Sequence, residues 1–121
     1  MSAPNLANIS TITAKSVQAT LNTTLTTEIL ANSSSSGKVF KVNNILVANI
    51  DGTNSANASV AITKSGGSPI MIASTIAVPA DSSLVVVDRN TNLYLEEGDN
   101  IESGASANSD LTITINYEEL S

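Results

Sequence analysis

Apolar and polar residues alternate with a period of two along most of the chain. In Leu111–Tyr117, the residues Leu111, Ile113, Ile115 and Tyr117 alternate with Thr112, Thr114 and Asn116, which predicts a half-buried strand. Val17–Ile29 places Val17, Ala19, Leu21, Leu25 and Ile29 on one parity. Val17, Leu21, Leu25 and Ile29 are also spaced by four, as in a helix, but five Thr residues between 20 and 27 disfavour one. Two strands turning near Asn22–Thr24, or one long edge strand, are therefore expected. Lys38–Ile50 is apolar on one parity (Phe40, Val42, Leu46, Ala48, Ile50) and partly on the other (Val39, Ile45, Val47). That pattern predicts a central strand covered on both faces, or one that faces a partner.

Ala58–Lys64 alternates again, and Gly66–Gly67 offers a hairpin turn into Ile70–Ala73. Thr75–Val78, Leu84–Asp88, Leu93–Glu96 and Asn100–Ser103 follow, separated by turn residues at Pro79–Ser83, Asn90–Asn92 and Gly98–Asp99. Eight to ten short strands at this spacing predict an all-β fold, a single antiparallel β-sandwich of jelly-roll type, with an immunoglobulin-like sandwich as the alternative. Met1–Lys15 is polar with isolated apolar residues and reads as an N-terminal arm before a β-sandwich domain over 16–121. Asn32–Gly37 reads as a flexible Ser-rich loop.

Composition sharpens this picture. Ser, Thr and Asn make up 45 of the 121 residues, and Ile, Val and Leu another 31. Thr favours strands, whereas Ser and Asn favour turns. With only Phe40, Tyr94 and Tyr117 as aromatics, the core must be aliphatic and aromatic binding platforms are scarce. A net charge of −6 argues against nucleic acid as a partner. No apolar run approaches the ~20 residues of a membrane helix, so no membrane partner is expected, and Met1–Ser10 has neither the basic nor the apolar region of a signal peptide. The chain has no Cys, His or Trp, which removes thiol chemistry, His-based catalysis and Cys/His metal sites. No cofactor is expected.

The remaining chemistry is sparse. Gly37–Lys38 resembles the end of a phosphate loop, but Asn32 stands where the first Gly belongs and Val39 where the Ser or Thr belongs. Ser35-Ser36-Gly37-Lys38 has Ser–Lys spacing in a solvated loop that would not lower the Lys pKa. Glu96, Glu97, Asp99 and Glu102 could hold calcium or supply an acid and a base, but they lack the spaced Asp/Asn pattern of a calcium loop and read as a solvated hairpin turn. The apolar runs are the better lead. In Ile45–Val47, Leu84–Val87 and Ile70–Ile72 both parities are apolar, so some side chains should point away from the core. Ile45, Val47, Val85 and Val87 are the candidate interface residues.

Ser36–Thr53 (SGKVFKVNNILVANIDGT), Val78–Asp99 (VPADSSLVVVDRNTNLYLEEGD) and Ala107–Ser121 (ANSDLTITINYEELS), with the opening TITAKSVQATL, resemble small virion structural proteins of tailed bacteriophages, cyanophages in particular. The resemblance implies a small β-sandwich that acts as a capsid decoration (cement) protein or as a neck or tail accessory, without catalytic residues. It implies the major capsid protein or other virion proteins as partners, a homo-oligomer with a trimer favoured, and a place in the virion after assembly in the host cytoplasm. Two other functions compete. One is a receptor- or glycan-binding fibre-tip domain, and the other a carboxylate hydrolase using Glu96, Glu97 or Glu102.

Overall fold

A computed structural model describes residues 6–25, 28–91 and 93–121. Among these residues a 3-10 turn, Leu6–Asn8, precedes nine strands. These are β1 (Ile12–Thr20), β2 (Glu28–Ala31), β3 (Val39–Asn49), β4 (Ala56–Thr63), β5 (Ile70–Val78), β6 (Ser83–Val87), β7 (Leu93–Leu95), β8 (Asn100–Ala105) and β9 (Leu111–Leu120). One sheet has the order β1-β9-β3-β6, with β7 also paired to β3, and the other has the order β2-β8-β4-β5. All pairings are antiparallel.

The pairs β1–β9, β2–β8, β3–β6 and β4–β5 nest like one long hairpin with β4–β5 at its tip. Rolling that hairpin sends successive pairs to alternate sheets, which is the connectivity of a jelly roll and not that of an immunoglobulin sandwich. The expected β4–β5 hairpin forms. The Val17–Ile29 stretch does contain two strands, but they do not pair with each other: β1 joins one sheet and β2 the other.

The core between the sheets is aliphatic. Leu21, Val42, Ile45, Val47, Val60, Val78, Leu95, Ile101, Leu111, Ile113 and Ile115 are fully buried. Burying each such side chain contributes about 1.5–3 kcal/mol. Phe40 and Tyr117 form the only ring pair among the described residues, with centroids 5.1 Å apart. The alternation read in Leu111–Tyr117 appears directly: its Leu, Ile and Tyr face inward, and its Thr and Asn face outward.

In β3 the structure departs from the sequence reading. Val42 opposes Tyr117 on β9, while Asn43 and Asn44 together oppose Asn116. This β-bulge inserts one extra outward residue, so the inward parity changes from Phe40 and Val42 to Ile45 and Val47. The bulge accounts for the change of parity between Val42 and Ile45, while Val39, before the bulge and next to inward Phe40, is buried on the other parity. β6 bulges in the same way, with Val86 inserted between Val85 and Val87, the partners of Leu46 and Ile45.

Two further expectations change. Ile12–Lys15 belongs to β1, hydrogen-bonded to β9, so the arm cannot extend to Lys15. These residues are exposed on both faces, which hid the strand from a reading based on burial. Residues 1–5 lie outside the described residues. The Ser-rich loop is tied down: buried Asn32 donates from Nδ2 to the carbonyls of Lys38 and Leu95, at 2.9 and 3.0 Å, and Oδ1 accepts from Ser36 Oγ. The Gly37 N–H donates to Glu97. Asn49 repeats this arrangement on the carbonyls of Asn54 and Val78.

Candidate functional site

Three of the four predicted interface residues are core residues. Ile45 and Val47 are fully buried, and Val87 is nearly so, because the bulges in β3 and β6 turn them inward. Only Val85 reaches the surface, at 58% exposure, on the outer face of the five-stranded sheet. The apolar surface lies chiefly on β5, where Ile70 is 61% exposed and Met71, Ile72 and Ile76 are also open to solvent. Ile70 and Ile76 oppose the core-side positions Ile62 and Ala58 on β4. Both are open to solvent, at 61% and 42% exposure, on a strand at the free edge of its sheet.

β5 is an edge strand without a single charged residue. Such edges are ordinarily blunted by charge, Pro or bulges. Bulges are what β5 has: Ile72 is skipped in its register with β4, and Ser74 and Thr75 oppose Ser59 alone. Thr75 is held at φ 49, a costly conformation for a β-branched residue, with its N–H donated to Ser59 Oγ at 3.0 Å.

The acidic cluster is dispersed into structural contacts. Buried Asp99 accepts from Lys64 Nζ, from the Ser65 N–H at 3.0 Å and from the Glu96 N–H at 2.8 Å. Burial pushes its carboxyl upward, but these donors outweigh burial and hold it below the ordinary range. Glu102 accepts from Thr63 Oγ1, and Glu97 from the Gly37 N–H. Among the described residues, no group of three or more acidic side chains is placed to hold a metal ion.

A second surface, one the sequence reading missed, lies on the outer face of the five-stranded sheet. Three adjoining concavities of about 500, 380 and 180 Å³ meet at Asn116. Together they form a trough across β1, β9, β3 and β6, about 14 Å wide at the usual strand spacing. The β3 bulge builds its centre by presenting Asn43 and Asn44 side by side opposite Asn116. Asn116 Nδ2 donates to Asn44 Oδ1 at 2.8 Å. Lys41 and Arg89 line the largest concavity with Glu118. Tyr94, the one exposed aromatic among the described residues, stands beside Lys41 on the same face.

The charges around this trough are unevenly engaged. Glu119 takes both Lys15 and Lys38, at 3.3 and 3.0 Å, and Lys64 is held by Asp99 and Glu96. Burial raises the Glu119 carboxyl, but its two lysine partners bring it below the ordinary range. Among the described residues, Lys41 and Arg89 are the two basic side chains in no ion pair. The sequence offered no signal for this. The Asn43–Asn44 pair reads as two polar residues in a strand until the bulge is seen.

Comparison of the chain with protein-family models, with curated proteins and with solved structures gives no match.

Proposed function

We propose that the chain is a non-enzymatic virion structural protein that docks on a phage coat as a decoration (cement) protein. The observation that carries this reading is the uncharged β5 edge with Ile70, Met71, Ile72 and Ile76 open to solvent. An apolar, charge-free strip on a chain of net charge −6 is a surface suited to burial against another protein. The resemblance to virion proteins of tailed phages names the coat subunit as the occupant. The jelly-roll fold, common among capsid domains, supports it by analogy alone. Repetition over a lattice would multiply weak single contacts by about 10²–10⁴.

The test is reconstitution on coat shells that lack the protein, comparing the natural chain with Ile70→Lys/Ile72→Glu. Loss of shell occupancy by about tenfold or more in the variant is expected, since unpaired charges would have to be desolvated. Equal occupancy would end the reading. A second reading, a glycan-binding tip domain, is favoured by the trough around Asn116.

A further inference from the structure

The trough has a composition that its surroundings do not require. In the fold, three of the five basic side chains are spent on carboxylates, and the two that are not, Lys41 and Arg89, line one concavity. Among the described residues, Asn44 Nδ2, Asn116 Oδ1 and the whole Asn43 amide also lack a protein partner. Each amide offers donors and an acceptor, and an extra strand residue has been inserted to bring two of them opposite the third. Glu118 adds a strong acceptor on the same wall. The concavity, at about 500 Å³, falls in the size range of ligand pockets.

We infer that this trough binds a saccharide carrying a carboxylate, with Lys41 and Arg89 on the carboxylate and Asn43, Asn44, Asn116 and Glu118 on ring hydroxyls. Vicinal hydroxyls both donate and accept, which matches an amide cluster bordered by a carboxylate. A guanidinium and an ammonium converging on one region match a carboxylate. Tyr94 beside Lys41 offers an aromatic face to an apolar face of a sugar ring. A polyphosphate would meet Glu118 on the same wall in a chain already at −6, so a ligand with one negative charge per ring fits better. The trough crosses four strands, and it accommodates more than one ring. The inference rests on this face alone and is independent of docking through β5.

The experiment is a titration of the ¹⁵N-labelled full chain with trigalacturonate and, separately, with 3′-sialyllactose, followed by amide chemical shifts. Neutral maltotriose, inorganic phosphate and a Glu-rich peptide serve as comparison probes. At least one of the two acidic saccharides is expected to bind with a dissociation constant of roughly 1 mM or better, and to shift the amides of Lys41, Asn43, Asn44, Arg89 and Asn116. Maltotriose should bind about tenfold more weakly. Lys41→Ala/Arg89→Ala, whose removed side chains have no ion pair in the fold, should keep the natural chain's spectrum elsewhere and lose about tenfold in affinity. Asn116→Ala should weaken binding of the neutral and acidic sugars alike. Absence of shifts with both acidic saccharides at about 10 mM, equal affinity in the double variant, or equal binding of phosphate or the Glu-rich peptide would each overturn the assignment.

Discussion

In β3, Ile45 and Val47 are wholly buried, whereas in β5, Ile70, Met71, Ile72 and Ile76 stay open to solvent. Both strands carry aliphatic residues on both parities, and both contain bulges. Position in the sheet separates them. β3 lies between β9 and the β6–β7 edge, with the second sheet packed over it, so its bulge places Ile45 and Val47 on the covered face with Phe40 and Val42. β5 is a free edge, and its bulges leave Ile70, Met71, Ile72 and Ile76 in water. The difference teaches that apolarity on both parities marks a bulge first. Whether it also marks a contact surface depends on the layer opposite.

The sharpest way to break this contrast is a pair of truncations. Ile45→Ala should lower the unfolding free energy by about 3 kcal/mol, read from urea midpoints at unchanged m-value, and Ile70→Ala by less than about 0.5 kcal/mol. Similar costs at the two sites would mean that β5 is covered or that β3 is not.

A smaller effect is expected where β5 begins. Asp99 holds the turn that leads into β5 through Lys64 and the Ser65 N–H. Asp99→Ala should cost about 2 kcal/mol, chiefly from the N–H groups left unpaired, because Lys64 itself is half exposed. The same carboxylate sets a pH dependence. The Asp99 and Glu119 carboxyls titrate lower in the folded chain than in the unfolded one. Their contribution is therefore fully present above about pH 4–5, where the unfolded carboxylates are ionised, and is lost as the pH falls through the lower folded values. Urea midpoints measured from pH 7 down to about pH 3 should fall, and the fall should be shallower in Asp99→Ala.

The smallest effect is expected from deleting Asn43. It is the extra residue, so its loss leaves Phe40, Val42, Ile45 and Val47 all facing inward, and stability should change by about 1 kcal/mol or less. The Asn43–Asn44 pair facing Asn116 would be gone. A collapse of stability would show that the bulge supports the core as well as the trough.

Much of the fold was legible in the sequence. Strict alternation in Leu111–Tyr117, the Gly66–Gly67 turn and the scarcity of helix formers led to strands that exist, in a sandwich of the expected type. The partners of β1 and β2 were not legible, because sequence-distant pairing such as Val17 with Ile115 leaves no local mark. The interface prediction failed at Ile45, Val47 and Val87 because a period-two reading carries no term for an inserted residue. The Ile70–Ile72 run carries the same pattern and does lie at the surface, so the pattern alone does not sort the two cases. The trough was invisible, since it depends on which Asn faces which across two strands.

The nested-hairpin connectivity has a consequence for how the chain is made. Leu111–Leu120, made after the eight other strands described, supplies the strand that separates β1 from β3. Until that segment leaves the ribosome, Phe40, Val42, Ile45 and Val47 have no neighbour on one side, and β1 has nothing to pair with. Such long-range closure is slow, and the nascent chain waits with its greasiest strand uncovered.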